Sequence, residues 1–212
     1  MLRGDLQRAR EYAAKLANED TAKHPAPDLK LATLARVLAK EAPLLVTAHR
    51  HHDITAALRL QREFGFVLVL DGAAEAYLLL DEIKEAGIPV VIHPTMARPF
   101  GELENLSFTT AAKLHEAGIP FAFQSGYEGY VPKTRVVHFE AALAVAYGLP
   151  YEAALAACTV NAARRLGIDE VVGSLQPGLE ADLALFDGDP FETVTQCTAV
   201  VINGKVVSNE PH

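Results

Sequence analysis

The sequence predicts an α/β protein: four parallel strands, each followed by a helix, and then a small antiparallel β appendage. Three observations predict it. From Pro43 onward, short apolar runs alternate with longer stretches of helical period. The runs are continuous rather than alternating, as strands covered on both faces must be. After residue 167 the apolar runs shorten and turn residues multiply, ending in Asn203-Gly204, a strong two-residue hairpin signal.

Each element follows from local chemistry. Residues 5–23 read as a helix, with Leu6, Ala9, Ala13, Leu16 and Ala17 at helical spacing before "HPAPD" stops it. Asp28 is placed to cap a second helix, "LKLATLARVLAKEA". The strand candidates are "PLLVTAH", "FVLVLDG", "IPVVIHPT" and "IPFAFQS". Between them lie three amphipathic segments ended by Gly65, Gly87 and Gly118, each suited to a left-handed position just past a helix. An internal echo supports the repeat, since "EAGIPV" at 85–90 returns as "EAGIPF" at 116–121. Two further helices follow, separated by a Gly-Leu-Pro break in which Pro150 suits a first turn. The expected division is a β/α body over 1–167 and a small β-sandwich-like segment over 168–212.

Half of the 212 residues are apolar, enough for a sizeable core. The formal net charge of -8, spread along the chain, argues against nucleic acid or an anionic membrane as partner and favours a small-molecule ligand. There is no apolar run of spanning length, and "MLRGDLQRAR" has no apolar signal region, which leaves the compartment open. Cys158 and Cys197 fit no CxxC spacing and are expected to be buried thiols.

The stretch "TVNAARRLGIDEVVGSLQPGLEADLALFDGDP" with "VVINGKVV" resembles the C-terminal part of the amidohydrolase superfamily, in its imidazolonepropionase-like branch. Upstream, "PLLVTAHRHHDITAALRLQREFG", "LDGAAEAYLLLDEI" and "AGIPVVIHPT" look like strands five to seven of that family's (β/α)8 barrel, and "AGIPFAFQSG" like strand eight. The resemblance implies the C-terminal half of a TIM-type barrel plus a small antiparallel appendage. It implies descent from metal-dependent hydrolases of non-peptide carbon–nitrogen bonds, with zinc or another divalent metal as cofactor. Four β/α units cannot close a barrel alone. The expectation is therefore a complementary N-terminal half, self-association along the open edges, a truncated product, or an open sheet with local cover.

The resemblance also fixes which residues stand at the family's ligand positions. In its strand-five pattern H-A-H-R-x-x-D-I the first His is the ligand, and Thr47 stands there; His49 falls on the second, pocket-facing His. The strand-six pattern E-H-G-x-E-A is met loosely by Leu70 to Ala76, with Asp71 in place of the ligand His and one extra residue before Glu75. After strand eight, Gln124 to Glu128 contain no Asp. Substituted chelators leave metal chemistry in doubt and raise the alternative of a non-catalytic relative that acts as a structural or partner subunit. On an extended segment His49 and His51 would share one side, and with His93 they are the pocket candidates. His49, His93 and Asp71 are the metal candidates, and Asp71 and Glu128 the catalytic ones. His138 is read as a packing residue, and His24, His115 and His212 are given no chemistry.

Overall fold

A computed structural model describes residues 2–93, 99–125, 127–128, 131–132 and 137–210; of Tyr127, Glu128, Val131 and Pro132 it describes the backbone alone. Two helices open the chain. The first, α1 (Leu2–Leu16), buries Leu6, Ala9 and Tyr12 and stops earlier than its sequence suggests, because a short 3-10 turn capped by Asp20 occupies Thr21–Lys23. Helix α2 (Leu29–Leu38) starts where expected, with the Asp28 carboxylate accepting from the Leu31 N–H at 3.0 Å. Asp5 ties the two helices together by pairing with Lys30 at 2.8 Å and with Arg8.

The β/α body follows in the predicted order. Strand β1 (Leu44–Ala48) leads to α3 (His51–Phe64), β2 (Leu68–Gly72) to α4 (Leu80–Ala86), and β3 (Val90–Ile92) to α5 (Thr110–Ala117) before β4 (Phe121–Phe123). Gly65, Gly87 and Gly118 end the three helices at φ of 73°, 65° and 72°, the left-handed conformation that glycine adopts without strain. All four strands are parallel in the order β1-β2-β3-β4, so among the described residues β1 and β4 each have one strand neighbour. A two-residue pair, β5 (Tyr127–Glu128) with β6 (Val131–Pro132), precedes α6 (Val137–Ala146). Helices α7 (Tyr151–Cys158) and α8 (Val160–Leu166) follow the Gly-Leu-Pro break. Pro150 stands at the N-cap position of α7, one place before its first turn, and makes no side-chain capping bond.

The core lies on one face of the sheet. Leu70, Val90, Ile92 and Phe121 point into it and pack with Leu6, Ile54, Ile83 and Leu114 from the helices. Each such fully buried aliphatic chain contributes about 1.5–3 kcal/mol. The opposite face departs from the expectation of strands buried on both sides. Leu45 in β1 is 58% exposed and Val67 beside it 45%, because nothing covers that face at the β1 end among the described residues.

The tail forms a separate three-stranded antiparallel sheet, β7 (Leu183–Phe186), β8 (Cys197–Ile202) and β9 (Lys205–Ser208). Asn203 and Gly204 turn the β8–β9 hairpin at φ of 49° and 73°, as two-residue hairpins of the primed type require. Both cysteines are free and half-buried rather than fully buried, and burial pushes the Cys158 thiol up to about 12. Among the described residues no helix is long and apolar enough to cross a membrane.

Candidate functional site

Parallel β/α units present their side-chain chemistry at the C-terminal strand ends. Three polar side chains meet there. The sheet register sets Thr47 directly opposite Asp71. The Thr47 hydroxyl donates to Asp71 Oδ2 at 2.6 Å, and the Gln124 side-chain amide, just past β4, donates to Asp71 Oδ1 at 2.7 Å. Both carboxylate oxygens of Asp71 are thus engaged by neutral donors.

Beside this set His49 lies flat on the chain at Gly72. A Cβ at position 72 would stand 2.4 Å from His49 Cε1, and Gly72 has φ of 81°, so only glycine admits the ring there. His93 follows β3, its N–H bound to the Gly72 carbonyl at 2.8 Å. The two imidazoles meet edge to face with centroids 5.1 Å apart. His49 Nδ1 is buried and has no hydrogen-bond partner among the described residues. His49 and His93 therefore do share one corner, as the sequence suggested. A shallow apolar cleft beside His93 is lined by Gly72, Ile92, Leu106 and Thr110.

His51 goes elsewhere, which corrects the reading of residues 49–53 as extended. The strand ends at Ala48 and α3 begins at His51, so the alternation that put His49 and His51 on one side does not apply. Its partner is Glu75, a carboxylate 3% exposed. Glu75 Oε2 accepts from the His51 backbone N–H at 2.7 Å and contacts His51 Nδ1 at 2.6 Å, while Oε1 accepts from the Asn105 amide at 2.7 Å. Burial alone would raise the Glu75 carboxyl, but the Asn105 amide, the His51 N–H and the His51 ring together hold it at about 2. The Glu75 carboxylate orients the His51 ring through Nδ1 and leaves Nε2 on the far side of a half-exposed ring. Glu75 also does for α3 what Arg50 does not. Arg50, at the N-cap position, makes no side-chain capping bond, so the anion from the following loop satisfies the first free N–H of the helix.

The same network fastens the loop after β3. Tyr77 Oη donates to the Asn105 carbonyl at 3.0 Å, and Arg50 donates to the Gly101 carbonyl at 3.0 Å. Neither Glu75 nor Asn105 stood out in the sequence as a site residue. Glu75 entered the sequence reading only through the loosely met strand-six pattern, and Asn105 offered no signal.

The donor set does not fit a tetrahedral zinc. A Thr hydroxyl and a Gln amide are poor ligands, and the single carboxylate among them already carries two hydrogen bonds. Among the described residues no three His, Cys, Asp or Glu side chains could hold a metal ion together. Of the metal candidates, His49 and His93 are brought together, whereas Asp71 is bound to Thr47 and Gln124. The Glu128 side chain and Gly126 lie outside the described residues. His138 is the second residue of α6, with its ring 4.0 Å from that of Phe139, and burial lowers its pKa, in keeping with packing.

A family model described as "Amidohydrolase family" matches residues 5–207. The chain belongs to the amidohydrolase family. An amidohydrolase from Thermotoga maritima superposes with a TM-score of 0.91 at 33% identity, covering 99% of this chain and 55% of that one. An imidazolonepropionase from Geobacillus kaustophilus is 32% identical over 107 residues, 47% of this chain and 25% of that protein. Amidohydrolase tasK from Hapsidospora irregularis is 26% identical over 189 residues, 87% of this chain and 19% of that protein. This amidohydrolase chain thus spans little more than half of the Thermotoga chain and a quarter or less of these two curated relatives.

Proposed function

We propose that this chain forms the strand-five-to-eight half of an amidohydrolase-type barrel and serves as a non-catalytic subunit that walls a small-molecule pocket. Its body is residues 1–167, with residues 168–212 as a distinct β segment. Its ancestry is in metal-dependent hydrolysis of carbon–nitrogen bonds, the class suggested by its similarity to imidazolonepropionases. The observation that carries this reading is the Thr47–Asp71–Gln124 set. Two positions that face each other across the register, and that would hold the metal in the family pattern, bond to each other instead. That bond supplies at the strand ends the cohesion a cation would otherwise give, and it needs no Lewis acid.

Metal retention tests it. The full chain, equilibrated with excess zinc and desalted, is expected to keep far less than one equivalent by elemental analysis. It is also expected to show no hydrolysis of cyclic or linear amides above the buffer rate. Retention of one zinc per chain, lost in Asp71→Asn, would overturn the reading.

A further inference from the structure

His51 and His52 stand side by side at the start of α3 and are exposed to nearly the same degree, 58% and 61% of each side chain. Their partners differ. His52 Nε2 lies 3.5 Å from Asp53, a half-exposed carboxylate that water screens. His51 Nδ1 lies 2.6 Å from Oε2 of the buried Glu75, whose other oxygen is fixed by the Asn105 amide. A charge-assisted contact of that length, shielded on the carboxylate side, is strong and directional. It holds the ring by one nitrogen. Among the described residues nothing bonds to the other, so Nε2 is left free on a half-exposed ring. Neither the strand-end set around Asp71 nor the capping of α3 makes use of it.

We propose that His51, positioned by Glu75, is a nucleophilic imidazole that accepts acyl groups at Nε2 from small neutral esters of acidic alcohols such as phenols and enols. A carboxylate only accepts, so the proton of the 2.6 Å contact lies on Nδ1 and the reactive lone pair on Nε2. In the acyl step that lone pair bonds to the carbonyl carbon, and the C–O bond to the phenol oxygen breaks with its electrons on the leaving phenolate. The acylated ring carries one positive charge, which Glu75 offsets through Nδ1. Water then adds to the acyl carbon, and the Nε2–C bond breaks with its electron pair returning to Nε2. One proton of that water stays with the acid, and the other neutralises the phenolate. Phosphoryl donors and other anions are the poorer fit, because Glu75 already fills the first N–H of α3 and Asp53 adds a second negative charge to that turn. Amides are left intact, since an amine anion departs far less readily than imidazole and the addition simply reverses. The inference goes beyond the subunit reading and stands apart from it, because it needs no metal and concerns a different class of substrate.

The test uses the full chain with para-nitrophenyl acetate and diethyl pyrocarbonate as probes. Peptide mapping after brief treatment with diethyl pyrocarbonate is expected to show His51 modified about tenfold faster than His52. Hydrolysis of para-nitrophenyl acetate should fall about tenfold in His51→Gln and stay within about twofold of wild type in His52→Gln. Glu75→Gln removes the charge and keeps the side-chain shape, and it should bring the two histidines to about equal reactivity. Two-bond nitrogen–proton NMR correlation in mildly alkaline buffer should place the wild-type His51 proton on Nδ1, and Glu75→Gln should lose that preference, which a purely structural Glu75 would leave in place. Since Glu75→Gln can fail to fold, the ratio of the two histidines and the His51 tautomer in the wild type decide the matter without it. Equal modification of His51 and His52 in the wild type, ester hydrolysis indifferent to His51→Gln, a His51 proton found on Nε2, or a folded Glu75→Gln that keeps the fast His51 would each overturn the proposal. Zinc retention and amide hydrolysis are unaffected by any of these outcomes, so this proposal and the subunit reading can fail separately.

Discussion

Asp71 and Glu75 are four residues apart at the end of one strand, and each carboxylate is held by a side chain from the strand end before it and by one from farther along the chain. Asp71 is part-exposed and accepts from a hydroxyl and an amide, both neutral. Glu75 is buried and accepts from three donors, one of them the first N–H of a helix. The difference lies in what each carboxylate replaces. Asp71 stands where the resemblance in the strand-six pattern would put a metal ligand, and water can partly stand in for its partners. Glu75 caps α3 and pins the Asn105 loop, and at 3% exposure it has little solvent to substitute for those partners.

The sharpest way to break this contrast is to truncate each carboxylate. Glu75→Ala leaves the His51 N–H and the Asn105 amide without an acceptor, and is expected to lower unfolding stability by about 3 kcal/mol in urea titration. Asp71→Ala should cost about 1 kcal/mol, since Thr47 is exposed and can turn to water. Equal losses would mean that both carboxylates are structural to the same degree.

Acid sharpens the contrast further. The folded Glu75 carboxyl sits at about 2, below its ordinary value of 4.5. Between those values the unfolded chain binds the extra proton, so the stability from Glu75 is complete above pH 4.5 and lost as pH falls toward 2. After discounting for the half-exposed His51 partner, this component is about 2 kcal/mol. Urea midpoints measured between pH 5 and pH 2.5 should fall more steeply in the wild type than in Glu75→Gln. Parallel slopes would show that the carboxyl is not held in its charged form.

Much of the fold was legible because its signals are local. Continuous apolar runs, three helix-ending glycines, the Asp28 cap and the Asn203-Gly204 turn each specify their element within a few residues. The exposed flank of β1 was not legible, since "PLLV" reads the same whether or not a neighbouring layer exists to cover it. In the site, the His49–His93 approach could be anticipated from their places at two strand ends. The His51–Glu75–Asn105 network could not. It depends on where α3 starts, and the sequence offers no side-chain cap at Arg50 to mark that start. It also depends on a loop residue 30 positions from Glu75, a separation over which pattern carries no information.

The smallest effect tests the most specific part of the contrast. Thr47→Val keeps the β-branched shape that suits β1 and removes only the hydroxyl, so strand pairing and packing should be retained. The Asp71 oxygen that loses its 2.6 Å donor is near solvent, and its other oxygen keeps the Gln124 amide, so the expected cost is about 0.5 kcal/mol. In an Asp71→Asn background the same substitution should cost still less, because the acceptor is no longer a charge. A double-mutant cycle in urea therefore reads the Thr47–Asp71 coupling directly. A coupling near zero would mean that the register merely sets the two side chains face to face, and that the cohesion at these strand ends comes from Gln124 alone.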